Sequence, residues 1–222
     1  MNAHFANPEA WSPGGIAFRS EADPVAVLSS LDKGGQHPTV TYAANCEIYA
    51  QGERASALYR LSFGTVRLYR LLADGRRQIS AFCVAGEVFG FEADAEHHFF
   101  AEAICAAGIR VYRKPLDGET AALLLPVALK ALVRAQEHLL VIGRQSASER
   151  VAAFLIDMME RQGAPPTLEL AMPRSDIADY LGLTIETVSR TFSKFRERGL
   201  LRLHGARTVE IVKAEALRQL SK

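Results

Sequence analysis

The amino-acid sequence predicts an α+β protein with a β-rich first half, a long middle helix and a C-terminal helical domain. Three observations support this class. Glycines recur every 11 or 12 residues between short β-rich segments, at Gly52, Gly64, Gly75 and Gly86. Apolar residues then follow a 4-3 spacing, and near the C-terminus two short helical sets flank a glycine. The predicted divisions are an extension at 1–38, a β domain at 39–116, the long helix at 117–145 and the last domain at 146–222.

The composition is typical of a globular chain with two modest domains. The 222 residues are 49% hydrophobic and 23% charged. Residues 1–143 carry 13 basic and 15 acidic side chains, whereas residues 144–222 carry 13 and 10, so positive charge is concentrated in the last domain. The N-terminus has no basic region before an apolar stretch, and the longest apolar run contains Pro126 and Lys130. We therefore expect a cytoplasmic protein without a membrane segment.

The first half of the chain is predicted to form short strands joined by tight turns. Prolines and glycines within 1–38 predict an extension with one short helix at most. Six strands are predicted, at Glu47–Ala50, Ala57–Phe63, Val66–Leu72, Gln78–Val84, Phe99–Cys105 and Ile109–Tyr112. Asp74-Gly75 is a good hairpin turn. This rhythm of strands and turns is typical of an antiparallel sandwich or barrel.

Cysteines and histidines of this half give no metal or catalytic pattern. Cys46, Cys83 and Cys105 are scattered, so we expect small buried apolar groups rather than disulfides or a zinc site. His97 and His98 are adjacent and point in different directions, which predicts a solvated loop. The sequence contains no evident nucleophile and base pair, metal set or phosphate loop, and no enzyme is predicted.

The long helix carries a coiled-coil pattern. Its 4-3-4-3-4 spacing runs through Leu125, Leu129, Leu132, Gln136, Leu139 and Gly143. Such a seam indicates a two-stranded coiled coil and hence a homodimer. The alternative is a helix packed wholly on its own β domain, and we expect Leu124, Val133 and Leu140 to pack there from the flank.

The last domain begins with a capping box. Ser146 and Glu149 have the spacing that satisfies two orphan backbone donors at a helix start. The buried stripe of this helix is predicted to be Val151, Phe154, Leu155 and Met158. Gly163 and the following prolines end it.

Two further helices are predicted on either side of a tight turn. Their apolar sets are Ile177, Ala178 and Leu181, then Val188, Phe192 and Phe195. Gly182 suits the turn because positive φ is nearly free only for glycine. Thr184 would cap the second helix through its hydroxyl.

The second of these helices presents a polar stripe of Glu186, Ser189, Arg190 and Ser193 away from its apolar face. Such a stripe fits a DNA major groove, where arginine pairs with guanine and glutamate accepts from cytosine. From Arg190 to Arg207 there are six basic residues against one acid, as expected for a phosphate-contacting surface. The alternative is an ordinary solvated helix face.

Two strands, Leu200–Leu203 and Thr208–Val212, form a predicted hairpin wing after this helix. We expect its turn to approach the DNA backbone. The residues predicted to contact phosphates are Arg174, Ser175, Thr184, Thr187, Ser193, Lys194, His204 and Arg207.

The run from Arg174 to Gly199, with DIADYLGLTIETVSR at its centre, resembles the winged helix-turn-helix of the Crp/Fnr superfamily of bacterial transcription regulators. The string IETVSR resembles its Fnr/FixK branch in particular. In that branch, the Glu, Ser and Arg of E-x-x-S-R read a palindrome with TTGA half-sites, and they match Glu186, Ser189 and Arg190. Thr191 stands where the family usually has an apolar residue, and we expect a small packing change.

The resemblance extends more weakly from about Tyr42 and implies a β-roll of the cyclic-nucleotide-binding type. It also implies a DNA-binding homodimer that recruits RNA polymerase through surface loops of the β-roll. The genes expected by resemblance serve low-oxygen life, such as respiration, denitrification or nitrogen fixation.

The ligand groups of the better-known members are missing. Cyclic-AMP-binding members use a Gly-Glu pair and an Arg-Ser pair, whereas here Gly90 precedes Phe91 and Phe99-Phe100-Ala101 occupies the second place. An apolar core and a pocket for another effector both fit these phenylalanines. Residues 1–45 lack cysteine, and the fourth ligand position of an Fnr-type iron–sulfur cluster falls near Val111. No cofactor is therefore expected; the alternative is a regulator gated by haem, a small metabolite or cysteine oxidation.

Overall fold

The computed structural model of the chain describes residues 37–113, 118–143 and 146–221, so nearly all of the predicted extension at 1–38 lies outside the described residues. Eight strands come first: β1 Thr39–Tyr42, β2 Glu47–Tyr49, β3 Ala57–Phe63, β4 Thr65–Leu71, β5 Arg77–Val84, β6 Val88–Phe89, β7 Phe100–Ala103 and β8 Ala107–Arg113. The second half contains α1 Gly118–Ile142, α2 Ala147–Arg161, β9 Thr167–Glu169, α3 Arg174–Leu181, α4 Ile185–Glu197, β10 Leu201–Leu203, β11 Thr208–Ile211 and α5 Ala214–Leu220.

The first eight strands form two antiparallel sheets of four strands each, in the orders β1-β8-β3-β6 and β2-β7-β4-β5. The predicted α+β class with a β-roll is confirmed. Side chains that alternate along the strands fill the space between the sheets, among them Leu61, Val66 and Ile109, which have no exposed surface. Gly64 joins β3 to β4 with φ of 91°, and a Cβ there would lie 2.5 Å from the Ala106 carbonyl oxygen. Only glycine fits this turn.

The six predicted strands are confirmed to within two residues at each end. Three strands were missed. β6 has two residues and pairs with the middle of β3, and β9 has three residues and pairs with β11. β1 is the edge strand of its sheet and pairs with β8 alone. β6 and β9 are too short to show periodicity, because alternation needs at least four residues to be recognised, and β1 has only that minimum.

The last domain packs four helices, α2 to α5, around the antiparallel sheet β10-β11-β9. α2 starts at the predicted capping box: the Glu149 N–H donates to Ser146 Oγ over 3.2 Å, and the Ser146 N–H donates to the Glu149 carboxylate over 3.4 Å. Its predicted stripe of Val151, Phe154, Leu155 and Met158 is fully buried. The two strands of the predicted wing are also confirmed, as β10 and β11.

Helix α1 packs on its own β-roll along one face only. Leu124 is buried against Leu58, Val88 and Tyr112, as predicted. The same prediction for Val133 and Leu140 is wrong, because they are 50% and 69% exposed. The inward face instead continues through Val127, Arg134, His138 and Val141, at the three- and four-residue spacing of a helix. Val133 and Leu140 point about 100° away from that face.

One apolar cluster joins the β-roll to the last domain. The ring of Phe82 in β5 lies 6.2 Å from that of Phe154 in α2 and 5.1 Å from that of Tyr180 in α3, measured between centroids. Tyr180 also stacks on His138 of α1 at 3.8 Å. The two domains therefore pack directly on each other. No helix in the described part of the chain is both long and apolar enough to cross a membrane.

Candidate nucleic-acid interface

Helices α3 and α4 form a helix-turn-helix with the predicted turn. Gly182 has φ of 61° and ψ of 42°, the left-handed conformation that ends α3. Thr184 caps α4, since its Oγ1 accepts a hydrogen bond from the Thr187 N–H over 3.2 Å. Ala178 is buried beside the turn, and its carbonyl accepts from the Leu183 N–H over 3.0 Å. Arg150 of α2 also donates to the Leu181 carbonyl over 3.1 Å, so the turn is held by local and tertiary contacts together.

Helix α4 separates an apolar face from a polar one as predicted. Val188, Phe192 and Phe195 are buried. Glu186, Ser189 and Arg190 are exposed on the opposite side, and Ser193 is half-buried. The structure therefore presents all three predicted base-reading side chains to solvent on one face of one helix.

The charges of this stripe are available for a ligand. Its own backbone N–H and the Thr184 hydroxyl hold the pKa of the Glu186 carboxyl below its ordinary value. Glu186 is therefore ionised at neutral pH and acts only as an acceptor. Arg190 forms no ion pair with any residue that the structure describes, so its five donors are free for an external acceptor.

Thr191 shows how the chain accommodates a hydroxyl at an apolar position. The side chain is only 6% exposed, and its Oγ1 donates to the Thr187 carbonyl oxygen over 2.8 Å. A buried hydroxyl that is hydrogen-bonded to the preceding turn costs little. These contacts are consistent with the small packing change expected at this position, which stays a prediction.

Arg174, predicted to contact phosphate, lies against the recognition helix. Its guanidinium carbon is 3.5 Å from the centroid of the Phe192 ring, a cation–π contact. Burial without a carboxylate partner lowers the pKa of Arg174 to about 10. Its Nη1 has no hydrogen-bond partner among the described residues. This nitrogen is buried, so a phosphate could contact Arg174 only through another atom of its half-buried guanidinium.

The remaining predicted phosphate contacts differ in how far their side chains are available to a ligand. Thr184, Lys194 and Arg207 are exposed, while Ser175, Thr187 and Ser193 are half-buried. His204 on the wing is already engaged, because its Nε2 lies 2.7 Å from the Glu210 carboxylate. Arg202 also donates to Glu210, over 2.9 Å. While Nε2 stays with Glu210, His204 could contact a phosphate only through Nδ1.

The predicted dimer seam of α1 is an exposed apolar stripe. Leu125, Leu129, Leu132 and Leu139 are between 51% and 69% exposed, and Gln136 and Gly143 are exposed as well. The exposed side chains of Val133 and Leu140 widen the stripe on one flank. A contiguous apolar surface of this kind marks a contact with another molecule.

His97 is not in a solvated loop, and that prediction is wrong. Only 2% of the residue is exposed, because its ring stacks on Tyr49 at 3.6 Å. Its Nδ1 lies 3.2 Å from Glu92, which also binds the backbone and ring of His98. An aromatic face and a carboxylate partner offset part of the cost of burying this histidine, whose Nε2 has no partner among the described residues. His98 is exposed, as predicted.

The three cysteines differ in environment. Cys83 is buried as expected, and burial raises the pKa of its thiol to about 12. Cys46 is exposed and Cys105 is half-buried, so the expectation of a buried apolar group is wrong for Cys46. Cys46 follows a turn that starts the short strand β2, where nothing covers the side chain. Within the described ranges, no three His, Cys, Asp or Glu side chains are grouped so as to hold a metal ion.

A cleft of about 780 Å³ lies between the β-roll, α1 and α2. Its wall includes Phe91 and Phe99, the two phenylalanines at the expected places of the missing ligand groups, together with Cys83 and His138. Phe99 and Phe100 are both half-buried. They are therefore packed on the domain without being part of its fully buried core.

Together, the β-roll, long helix and winged helix-turn-helix with a solvent-facing polar stripe define a DNA-binding regulator with an N-terminal sensor-type domain. Residues 39–123 match the cyclic nucleotide-binding domain, and residues 149–220 match the Crp-like helix-turn-helix domain. The chain belongs to the Crp/Fnr family of transcription regulators and is of the FixK type.

The similarity to FixK proteins extends over nearly the whole chain. The nitrogen fixation regulation protein FixK of Rhizobium meliloti is 54% identical over 193 residues, covering 87% of this chain and 92% of that protein. The protein of the same name from Azorhizobium caulinodans is 40% identical, covering 98% and 92%. The structure of FixK2 from Bradyrhizobium japonicum superposes with a TM-score of 0.78 at 39% identity, covering 83% of this chain and 96% of that one.

Proposed function

We propose that this chain is a homodimer that recognises a TTGA-N6-TCAA-like palindrome and recruits RNA polymerase to nearby promoters. The observation that carries the proposal is the exposed stripe of Glu186, Ser189 and Arg190 on α4. The two half-site centres of such a palindrome are about 10 base pairs apart, close to one helical turn. Two recognition helices related by two-fold symmetry therefore enter the major groove on the same side of the duplex.

Within each half-site, Arg190 pairs with the O6 and N7 atoms of guanine, and Glu186 accepts from a cytosine amino group. Ser189 completes the readout with a single hydrogen bond. The backbone contacts are made by Arg174, Ser175, Thr184, Thr187, Ser193, Lys194, His204 and Arg207. Lys194 and Arg207 are the strongest of these assignments, because both are cationic and exposed.

The dimer forms by pairing of the α1 helices of two chains. Its seam comprises Leu125, Leu129, Leu132, Gln136, Leu139 and Gly143. Four exposed leucines on one stripe support this assignment, since pairing would remove them from water. A two-fold symmetric protein also matches a palindromic site.

The regulated genes serve nitrogen fixation or another part of low-oxygen metabolism. The names of the Rhizobium meliloti and Azorhizobium caulinodans relatives support this role. Loops of the β-roll provide the contact with RNA polymerase. No cofactor is required in this proposal, because residues 1–45 contain no cysteine for an Fnr-type cluster.

The test is binding of the metal-free, reduced protein to a duplex carrying TTGA-N6-TCAA, with a duplex of scrambled half-sites as the control. We expect the palindrome to bind on the order of a thousandfold more tightly. Equal affinity for the two duplexes would contradict sequence-specific binding in the absence of an effector. Salt concentration must be the same in both measurements, because phosphate contacts make affinity depend strongly on salt.

A second candidate is the same regulator gated by a ligand. The cleft of about 780 Å³ between the β-roll, α1 and α2 favours it, since a ligand there would touch both domains. Cys83 is poorly suited to control DNA binding through its oxidation, because its raised pKa keeps it a thiol at neutral pH. A visible absorption spectrum of the purified protein tests for haem, and DNA binding with and without a thiol oxidant tests for cysteine gating. A featureless absorption spectrum and unchanged DNA binding would leave a colourless metabolite as the remaining candidate effector.

A further inference from the structure

The first helix of the helix-turn-helix is ion-paired to the β-roll. Arg67 of β4 donates through Nη1 to one carboxylate oxygen of Asp176 over 2.6 Å, and Arg77 of β5 donates through Nη2 to the other over 2.5 Å. Arg77 also binds the Asp179 carboxylate over 2.8 Å and 3.1 Å. We refer to these four side chains as the Asp176 network.

The network is buried and directional. Asp176 is 2% exposed, and the Arg67 side chain is 10% exposed. Arg67 is held in turn by Glu102 of β7 over 2.6 Å, so the helix is connected to three adjacent strands. Charged hydrogen bonds of this length tolerate little displacement. Each pair therefore specifies one position of α3 relative to the sheet.

The apolar part of the same interface cannot do this alone. Phe82, Phe154 and Tyr180 make contacts that stabilise the packed state through area, and area is non-directional. Buried ion pairs often contribute less to stability than to the choice of one arrangement over others. In this interface, the rings supply buried apolar area and the Asp176 network supplies the directional contacts.

We propose that Arg67, Arg77, Asp176 and Asp179 are positioning residues that set which half-site spacing the dimer accepts. This inference rests on the palindrome binding proposed above. None of the four residues reads a base in that proposal. They act through α3, which crosses α4 at the Gly182 turn and so carries the recognition helix with it.

Because DNA is helical, the half-site spacing that the dimer accepts depends on how firmly the Asp176 network holds α3 and α4 against the β-roll. Adding or removing one base pair moves a half-site by about 3.4 Å along the axis and rotates it by about 35°. An α4 that is held rigidly cannot follow both the translation and the rotation of the half-site. Without the Asp176 network, the last domain could rotate on its apolar contacts and reach the displaced half-site.

The experiment compares Arg77→Met with the matched control Arg76→Met in the full-length protein. The two arginines are neighbours and carry equal charge, but the Arg76 ion pair is exposed and made with Asp74 of its own hairpin. Affinities are measured for duplexes with identical half-sites and spacers of five, six and seven base pairs. Asp179→Asn serves as a second variant, since it weakens the same network from the other domain at a side chain that is 34% exposed.

The native protein and Arg76→Met should prefer the six-base-pair spacer by the same factor. Arg77→Met and Asp179→Asn should reduce that factor about tenfold, which is within the range of coupling between residues of one ion-pair network. A uniform loss of affinity on all three duplexes would overturn the inference, because a purely structural network would not change the ratio.

Hydrogen exchange of the free protein separates this inference from the palindrome proposal. If the native protein fails to distinguish the palindrome from scrambled DNA, the proposed function is wrong. Hydrogen exchange alone then tests whether the Asp176 network holds α3 against the β-roll. The amides of 174–181 should exchange faster in Arg77→Met than in Arg76→Met. Equal exchange in the two variants would overturn the inference independently of DNA.

Discussion

At the scale of single residues, the proposed complex separates side chains that read bases from side chains that contact phosphates. Arg190 and Lys194 both lie exposed on α4, four residues apart on one helix. In the proposed complex they differ in their partner, a base edge for Arg190 and a phosphate for Lys194. Base contacts carry sequence information and phosphate contacts do not.

Replacement of Arg190 by alanine should therefore cost roughly 1 to 3 kcal/mol per half-site and relax the preference for one base pair. Binding to a set of duplexes with single-base changes measures both effects. Lys194→Ala is the matched control, and it should weaken binding to all sequences equally and reduce the salt dependence. If Arg190→Ala also lost affinity uniformly, its contact would be with phosphate, and the assignment of this residue would be wrong.

Some residue environments follow from the sequence and others do not. The exposure of Glu186 and Arg190 follows from helical period alone, because Val188, Phe192 and Phe195 fix which face is buried. The burial of His97 does not, since it depends on the Tyr49 ring and Glu92, which the fold brings from other segments. A tertiary partner overrides the local pattern in such cases.

At the scale of elements, the sequence predicts those strands and helices whose ends are marked by turn or capping residues. The glycine turns identify the longer strands, and Gly182 with Thr184 identifies the helix-turn-helix. The two-residue β6 was missed because its pairing with β3 comes only from the complete sheet. The Asp176 network was missed for the same reason: Arg67 and Asp176 are 109 residues apart, and neither has a partner in its own segment.

The turn of the helix-turn-helix should be sensitive to any side chain at Gly182. A Cβ there would meet only Arg150 Nη1, at 3.7 Å, so space is not limiting. The φ of 61° is the problem, and Gly182→Ala should lower the free energy of unfolding by about 1 to 2 kcal/mol.

Denaturant unfolding followed by circular dichroism measures this loss. Gly118→Ala is the control, because Gly118 is a helical residue without positive φ and with no atom near its added Cβ. The control should be neutral or slightly stabilising. Equal stability of the Gly182→Ala and native proteins would show that the turn relaxes to another conformation.

At the scale of the whole molecule, α1 faces two ways. Its inner face packs on the β-roll through Leu124 and on the last domain through His138, and its outer face is a stripe of leucines in water. One helix thus contacts the sensor domain, the DNA-binding domain and, in the proposed dimer, the second chain. A shift of α1 at the dimer seam would therefore act directly on both domains, because α1 contacts each of them.

Disruption of that stripe should separate the dimer and abolish tight DNA binding. Leu139 is 69% exposed in the single chain, and Leu139→Asp would place two carboxylates in the seam by symmetry. Burying a leucine is worth about 1.5 to 3 kcal/mol. Since both copies lose this burial, the dissociation constant of the dimer should rise by at least about a hundredfold.

Sedimentation equilibrium of the full-length protein measures the change, with Leu72→Asp as the control. Leu72 is 40% exposed beyond the end of β4, far along the chain from α1, and its replacement should leave the dimer intact. A monomeric Leu139→Asp protein should still bind a single half-site, but weakly, because it gains only one set of contacts. A Leu139→Asp protein that remained dimeric would place the interface on another surface, and the two-fold arrangement of the recognition helices would then require a different axis.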